Sequence, residues 1–224
     1  MAKTNHLPLV THHSPMSIWA VIPAKSPDAA KARLAPALSA EERAALARRL
    51  FRGTVEAALA CPALAGAIVV SASPELRALA VELGAHACPD PPSHHADALN
   101  AAIAFGCARA TALGATAALV LPADLLFLAP AVIMEFLDQA GDAAVAVAPD
   151  CAKVGTNALL LRPPQALAPA FGPASCDRHR AAARACGLSA AIVRLPALAL
   201  DLDTPADLAL LGCAGAHGGE AARG

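Results

Sequence analysis

Ile18-Trp19-Ala20-Val21-Ile22-Pro23-Ala24-Lys25, followed shortly by Lys31-Ala32-Arg33-Leu34, is the stretch on which the fold turns. Its apolar run is strand length and ends at a proline, as a strand buried in an α/β sheet does. Lys25, Lys31 and Arg33 come just past the carboxyl end of that strand, where an open α/β sheet presents its ligand crevice. The loop has neither the glycines of a dinucleotide fingerprint nor a P-loop. An anion bound here is therefore expected to be held by side chains. Lys31 and Arg33 also fit an ordinary solvated helix start, and it is their place at a strand end that favours a ligand.

Outward from this stretch, strands and helices alternate. Ser39 is an expected N-cap with Glu41 and Glu42 in the first turn, and Leu46, Leu50, Val55 and Leu59 space one helix face up to Cys61-Pro62. A strand at 67–71, a helix from Pro74 to Leu83 closed by Gly84, and a short strand at His86-Ala87-Cys88 come next. Residues 89–97 read as a loop feeding a helix from about Leu99 to Ala112, then a strand at 117–121 and a helix from Pro130 to Ala140. Strands at 143–148 and 156–161 follow, then a short helix from Pro163-Pro164 and a longer one from Ser175 to Cys186. Late strands are expected at 192–195 and 198–200, and Asp203-Thr204-Pro205 opens a last helix. The fold class this specifies is α/β, a mostly parallel sheet with helices on both faces, without an internal repeat.

The bulk composition fits that frame. At 224 residues the chain is long enough for a full core and suits one domain, expected at 18–211 between disordered tails at 1–17 and 212–224. Alanine accounts for much of the 57% hydrophobic content, and no apolar run approaches the roughly 20 residues that span a bilayer. A net charge of −1 excludes a general nucleic-acid binder. The seven cysteines, Cys61, Cys88, Cys107, Cys151, Cys176, Cys186 and Cys213, include no Cys-x-x-Cys pair, so reduced thiols in a cytoplasm are expected. The first 17 residues lack the apolar core of a signal peptide, and Met16 could serve as the start as well as Met1.

Acids stand opposite the cations. Asp124 follows the 117–121 strand and is expected over the crevice, although a turn cap would explain one such residue equally well. Asp201 and Asp203, two apart at another expected strand end, can face one side, and carboxylates are what Mg2+ prefers. Asp203 also suits an N-cap before Thr204. Three acids facing Lys25, Lys31 and Arg33 suggest a metal-bound polyphosphate. Gly155-Thr156-Asn157 offers groups for an oxyanion or a base edge, and Phe171-Gly172-Pro173-Ala174-Ser175 opens a helix whose amino terminus suits a phosphate or carboxylate. Arg178 and His179 could point into the same pocket or lie on a solvated face. His94-His95 lack the spacing of a helical zinc pair and read as a loop.

Seven blocks in order carry a family resemblance. They are Ile22-Pro23-x-Lys25, Ala30-Lys31-x-Arg33-Leu34-Ala35, Leu38-Ser39-x-x-Glu42-Arg43, Leu121-Pro122-Ala123-Asp124-Leu125, Gly155-Thr156-Asn157-Ala158-Leu159, Phe171-Gly172-Pro173-x-Ser175-x-x-Arg178-His179 and Leu200-Asp201-x-Asp203-Thr204-Pro205. Together they resemble the CofC/FbiD family, guanylyltransferases of coenzyme F420 (deazaflavin) biosynthesis, over about Ile18 to Leu211. The resemblance implies a Rossmann-like nucleotidyltransferase fold of glycosyltransferase-A type. It implies transfer of GMP from GTP to 2-phospho-L-lactate, phosphoenolpyruvate or 3-phospho-D-glycerate, with release of pyrophosphate. By position it assigns Thr156, Gly172 and Ser175 to the acceptor and Asp124, Asp201 and Asp203 to Mg2+. It gives Lys25, Lys31, Arg33 and Asn100 to the nucleotide, with Asp124, Lys31 and Arg33 as the catalytic set. The chain departs from the family pattern at Ala98, where glycine is usual, and at Leu126, where proline is. Molybdenum-cofactor and sugar nucleotidyltransferases open instead with a glycine-rich loop, which this chain lacks. A silent nucleotide-binding relative is disfavoured by the retained acids and cations. The identity of the acid and the oligomeric state, a homodimer included, are left open.

Overall fold

Burial of the first strand on both of its faces sets the whole architecture. In the computed structural model, which describes residues 16–92 and 97–208, β1 (Ile18–Pro23) sits in the middle of a seven-stranded sheet. Ile18, Ala20 and Ile22 face one layer of helices, and Val21 faces the other. The strand order is β3-β2-β1-β4-β6-β5-β7, where β2 is Gly66–Val70, β3 His86–Cys88, β4 Ala117–Val120, β5 Val145–Pro149, β6 Thr156–Leu161 and β7 Ala190–Ile192. All neighbours run parallel except β6, which is antiparallel to both β4 and β5.

Among the described residues, five helices of ten residues or more cover the two faces. The layer on one side comprises α1 (Ala40–Ala60), α2 (Pro74–Leu83) and α4 (Pro130–Ala140), through Phe51, Val55, Leu76, Ile133 and Phe136. On the other side lie α3 (Ala98–Ala112) and α5 (Ser175–Ala185), through Ile103, Cys107 and Ala183. Full burial of a side chain such as Phe51 or Ile103 contributes about 1.5–3 kcal/mol, so this alanine-rich chain depends on its few large core residues. At Gly106, α3 approaches β1 so closely that a Cβ would lie 2.4 Å from Val21 Cγ1. Glycine is what lets that helix settle onto the central strand.

Local signals explain most boundaries. Ser39 and Glu42 close a capping box on α1, with the Ser39 amide donating to Glu42 at 2.8 Å and the Glu42 amide to Ser39 Oγ at 3.2 Å. Ser73 caps α2, which begins at Pro74 as expected.

Three elements differ from expectation. Residues after Pro163-Pro164 form turns rather than a helix, and the Arg162–Pro163 bond is cis. The strand expected at 192–195 is displaced to β7, because Val145 and its neighbours on β5 pair with 190–192. Where a strand was expected at 198–200, Pro196–Ala199 is a single helical turn, α6, followed by an isolated bridge between Leu125 and Asp201. Proline at the first position starts that turn, and the apolar run alone could not distinguish it from a strand. Residues 205–208 are helical, as expected. The His94-His95 pair, Cys213 and most of the expected tails lie outside the described residues; Ser17 donates its amide to Thr116 Oγ1 at 2.9 Å.

This topology gathers a site. Beside β1 the strand order changes direction, with β2 on one flank and β4 on the other, and an open α/β sheet places its crevice at such a switch point. Reversal of β6 brings its start, Thr156, to the edge where β5 ends at Pro149.

Candidate active site

The loop after β1 is built from two 3-10 turns, Pro27–Ala29 and Ala32–Leu34, with Lys31 between them at φ +57°. A left-handed conformation is uncommon outside glycine, and here it is held by what the side chain does. Lys31 Nζ donates to Asp124 Oδ2 at 2.7 Å and to Asp203 Oδ1 at 3.0 Å, with the lysine side chain 4% exposed. Burial works to lower the Lys31 pKa, but attraction and hydrogen bonds from Asp124, then Asp203, outweigh it and hold it above the ordinary lysine value. Leu34, beneath the turn, is fully buried with Leu46, Leu50 and Leu202, which fixes the loop to α1 and to the segment carrying Asp203.

That segment is itself braced. Asp207 accepts from the amides of Asp203 and Thr204, at 3.0 and 2.7 Å, and from Thr204 Oγ1 at 2.8 Å. Asp207 therefore does the capping that the sequence also allowed for Asp203, whose own carboxylate is turned to Lys31 and Arg33, the latter at 3.6 Å. The spacing Thr204-x-x-Asp207 was the signal for it. Asp201 bridges by its backbone to Leu125, beside Asp124. Its pKa is raised, first by burial and then by the charges of Asp124 and Asp203.

These groups border a cleft of about 390 Å3 over the ends of β1 and β4. Lys25, Lys31, Arg33, Asp124 and Asp203 line its polar side; Phe51, Leu76, Leu99, Ile103 and Phe171 line its apolar side. An apolar wall facing fixed charges suits a ligand with a flat ring and a polyphosphate. Lys25 and Arg33 are exposed, and Lys25 forms no ion pair among those found in the described residues.

Of the three acids expected to bind metal, the structure brings two to one point. Asp124 and Asp203 bracket the Lys31 ammonium, and among the described residues no three His, Cys, Asp or Glu side chains converge on a metal position. Two carboxylates that already hold a cation fit Mg2+, which is commonly bound by one or two carboxylates with substrate phosphates completing the shell.

The residues expected at the acceptor form a second group. Thr156 and Ser175 are buried, Gly172 has φ +116°, and none of the three lines the main cleft, which meets this loop only at Phe171. The loop is clamped from two helices. Asn100 on α3 receives the Phe171 amide at 2.8 Å and returns its own amide to the Phe171 carbonyl at 3.2 Å and to Asp97 at 3.0 Å. Expected at the nucleotide, Asn100 here ties α3 to the 171–175 loop. Arg178 on α5 donates to the carbonyls of Ala170 and Phe171, the latter at 2.7 Å. His179 joins the loop to β6, with Nε2 accepting from the Ala170 amide at 3.0 Å and Nδ1 lying 3.2 Å from Thr156 Oγ1. Burial, reinforced by Arg178, pushes the His179 pKa down to about 4. The clamps on residues 170 and 171 run to backbone atoms, which sequence reading could not anticipate. Beside Thr156, the Asn157 amide nitrogen is buried and has no partner among the described residues, a state that costs about 1–3 kcal/mol.

Comparison with known proteins bears on the family and the fold. Residues 18–221 match the family model described as guanylyl transferase CofC like. A phosphoenolpyruvate guanylyltransferase of Rubrobacter xylanophilus is 42% identical over 206 residues, covering 89% of this chain and 96% of that protein. One of Conexibacter woesei is 38% identical over 196 residues, covering 86% of each. Among solved structures, a nucleotidyl transferase from Methanothermobacter superposes with a TM-score of 0.63 at 14% identity, over 90% of this chain and 99% of that one. A CMP:2-keto-3-deoxy-manno-octonic acid synthetase complexed with CTP gives 0.59 at 14% identity, over 90% and 99%. At those identities the likeness is one of fold, the Rossmann-like nucleotidyltransferase sandwich.

Proposed function

This chain belongs to the guanylyl transferase CofC-like family and is an enzyme of nucleotidyl transfer, and we propose that it moves GMP from GTP onto phosphoenolpyruvate, releasing pyrophosphate. 2-Phospho-L-lactate and 3-phospho-D-glycerate are the alternative acceptors, and coenzyme F420 biosynthesis is the process served. The observation that carries this reading is the pair Asp124 and Asp203 holding one cation at the rim of a cleft that also presents Lys25 and Arg33. Support for the acid comes from the relatives, named for phosphoenolpyruvate at 36–42% identity.

The reaction asks little of a base. A phosphate oxygen of the acceptor, already anionic at neutral pH, attacks the α-phosphorus of GTP. The bond from that phosphorus to the α,β-bridging oxygen breaks, and its electron pair leaves with pyrophosphate. Alignment and charge neutralisation dominate such a step. Lys25 and Arg33, exposed on the loop after β1, reach the β- and γ-phosphates and neutralise the leaving group. Lys31 gives its ammonium to the α-phosphate side of the cleft, from a position it now shares with Asp124 and Asp203. Those two carboxylates would hold Mg2+, which supplies Lewis-acid stabilisation of the phosphoryl oxygens. Thr156 at the start of β6, together with Gly172 and Ser175 on the segment that Asn100 and Arg178 clamp, orient the acid. Ala98, one residue into α3, keeps a Cβ where a closer backbone approach to the base would favour glycine.

A competition assay tests the acceptor. With GTP, Mg2+ and the three acids at equal concentration, mass spectrometry of the products should show the guanosine diphospho-derivative of phosphoenolpyruvate in excess. Preferential guanylylation of either other acid would overturn that assignment and leave guanylyl transfer standing.

A further inference from the structure

We propose that His179 is a positioning residue for the acceptor acid: it donates from Nδ1 to Thr156 Oγ1 and so keeps the Thr156 hydroxyl proton free to donate to an oxygen of the acid. The inference rests on the acceptor reading given above for Thr156. Its geometry is independent of that reading.

The direction of each hydrogen bond fixes the next. The Ala170 amide can only donate, so the His179 Nε2 that lies 3.0 Å away accepts and carries no proton. A neutral imidazole then holds its single proton on Nδ1, and the partner of Nδ1 is Thr156 Oγ1 at 3.2 Å. Oγ1 is therefore an acceptor in that bond, and the hydroxyl keeps its one donor for something else. No other side-chain partner is found for it among the described residues, and Thr156 is only 6% exposed. A donor held this way favours an anionic oxygen over a group that itself donates. Neutrality of the ring is secured by its surroundings: His179 is fully buried, it packs edge-on to Phe171 at 5.0 Å, and Arg178 is the neighbouring cation.

The loop does not depend on His179 alone. Asn100 holds Phe171 on both sides, and Arg178 holds the carbonyls of Ala170 and Phe171. Substitution at 179 can therefore be read for its effect on Thr156.

The test compares two amides. In His179→Asn the short side chain offers an N–H near the place of Nδ1; in His179→Gln the longer one reaches the place of Nε2 and gives nothing to Thr156. His179→Gln should raise KM for the acid about tenfold, with kcat and KM for GTP changed less than about twofold, the scale of one lost hydrogen bond. His179→Asn should restore most of that loss. Adding Thr156→Val to His179→Gln should raise the acid KM no further. Equal damage from the two amides, additive effects, or a matching rise in KM for GTP would overturn the assignment. Nitrogen NMR of 15N-histidine-labelled wild-type enzyme at pH 7 needs no variant to fold, and should show His179 protonated on Nδ1 and bare on Nε2. An imidazolium, or a proton on Nε2, would overturn the His179 assignment alone. Failure of the wild type to use any of the three acids would overturn the acceptor reading, and that outcome leaves the tautomer measurement unaffected.

Discussion

Lys31 Nζ lies 2.7 Å from Asp124 Oδ2, joining the loop after β1 to the loop after β4 across the mouth of the cleft. The contact links two elements that the strand order already places side by side. On the proposed function it also sets a carboxylate where it would hold Mg2+ beside the α-phosphate. Asp124→Asn keeps the shape and removes the charge, so turnover should fall by about 10^2–10^3-fold or more, the scale of a lost electrostatic group at a reacting centre. The melting temperature should change little, because Asp203 still receives Lys31. Pyrophosphate release and a thermal melt check the pair of expectations.

Lys31→Met separates the lysine from its carboxylates. Asp124 and Asp203 would then face each other without the buried ammonium, and a long apolar chain would remain to fill its space. Turnover should fall by about 10^2-fold or more, with KM for GTP raised. A steady-state titration of GTP measures both. Unchanged turnover together with an unchanged KM for GTP would show that Lys31 serves only the fold.

Gly172→Ala tests the shape of the 171–175 loop. At φ +116° any Cβ is strained, at a cost of about 1–3 kcal/mol, although the nearest atom to that Cβ would be Arg178 Nη2 at an acceptable 3.6 Å. KM for the acid should rise while KM for GTP stays within about twofold, since the strain falls on the loop that leads into Ser175. Separate titrations of the two substrates distinguish these outcomes.

His179 makes stability depend on pH. Its pKa, pushed down to about 4 in the fold against 6.5 in a free histidine, means that the unfolded chain takes up the proton first as pH falls. The stability contributed by the neutral ring is present in full above pH 6.5 and declines by about 1.4 kcal/mol per pH unit down to about pH 4. Urea unfolding of wild type and His179→Asn at pH 7 and pH 5 isolates it. The wild type should lose more stability between the two pH values than the variant does.

Much of the fold could be read from the chain, for identifiable reasons. Capping residues and prolines sit at the helix starts, as Ser39 with Glu42 and Ser73 with Pro74 show, and local chemistry of that kind needs no tertiary partner. Leu198 and its neighbours were ambiguous because a short apolar run satisfies both periods; the proline start decided for a helical turn. The direction of β6 was not legible either, since nothing in Thr156–Leu161 states which edge it pairs with. At the site, the cations and acids announced themselves by type and by their place at strand ends. Their pairing did not: the sequence grouped Asp124, Asp201 and Asp203 as equals, while the folded chain joins Asp124 and Asp203 through Lys31. The clamps of Asn100, Arg178 and His179 escaped notice because their partners include the backbone of Ala170 and Phe171, and backbone atoms leave no mark in a sequence.

Pyrophosphate release is the most direct test of guanylyl transfer. The wild-type enzyme is supplied with Mg2+, phosphoenolpyruvate and each of GTP, ATP, CTP and UTP in turn, with an acid-free control for each. Pyrophosphate should appear with GTP, only when the acid is present, and in equal amount to the guanylylated acid. Pyrophosphate formed without any acid, or formed faster from another nucleotide, would contradict the account.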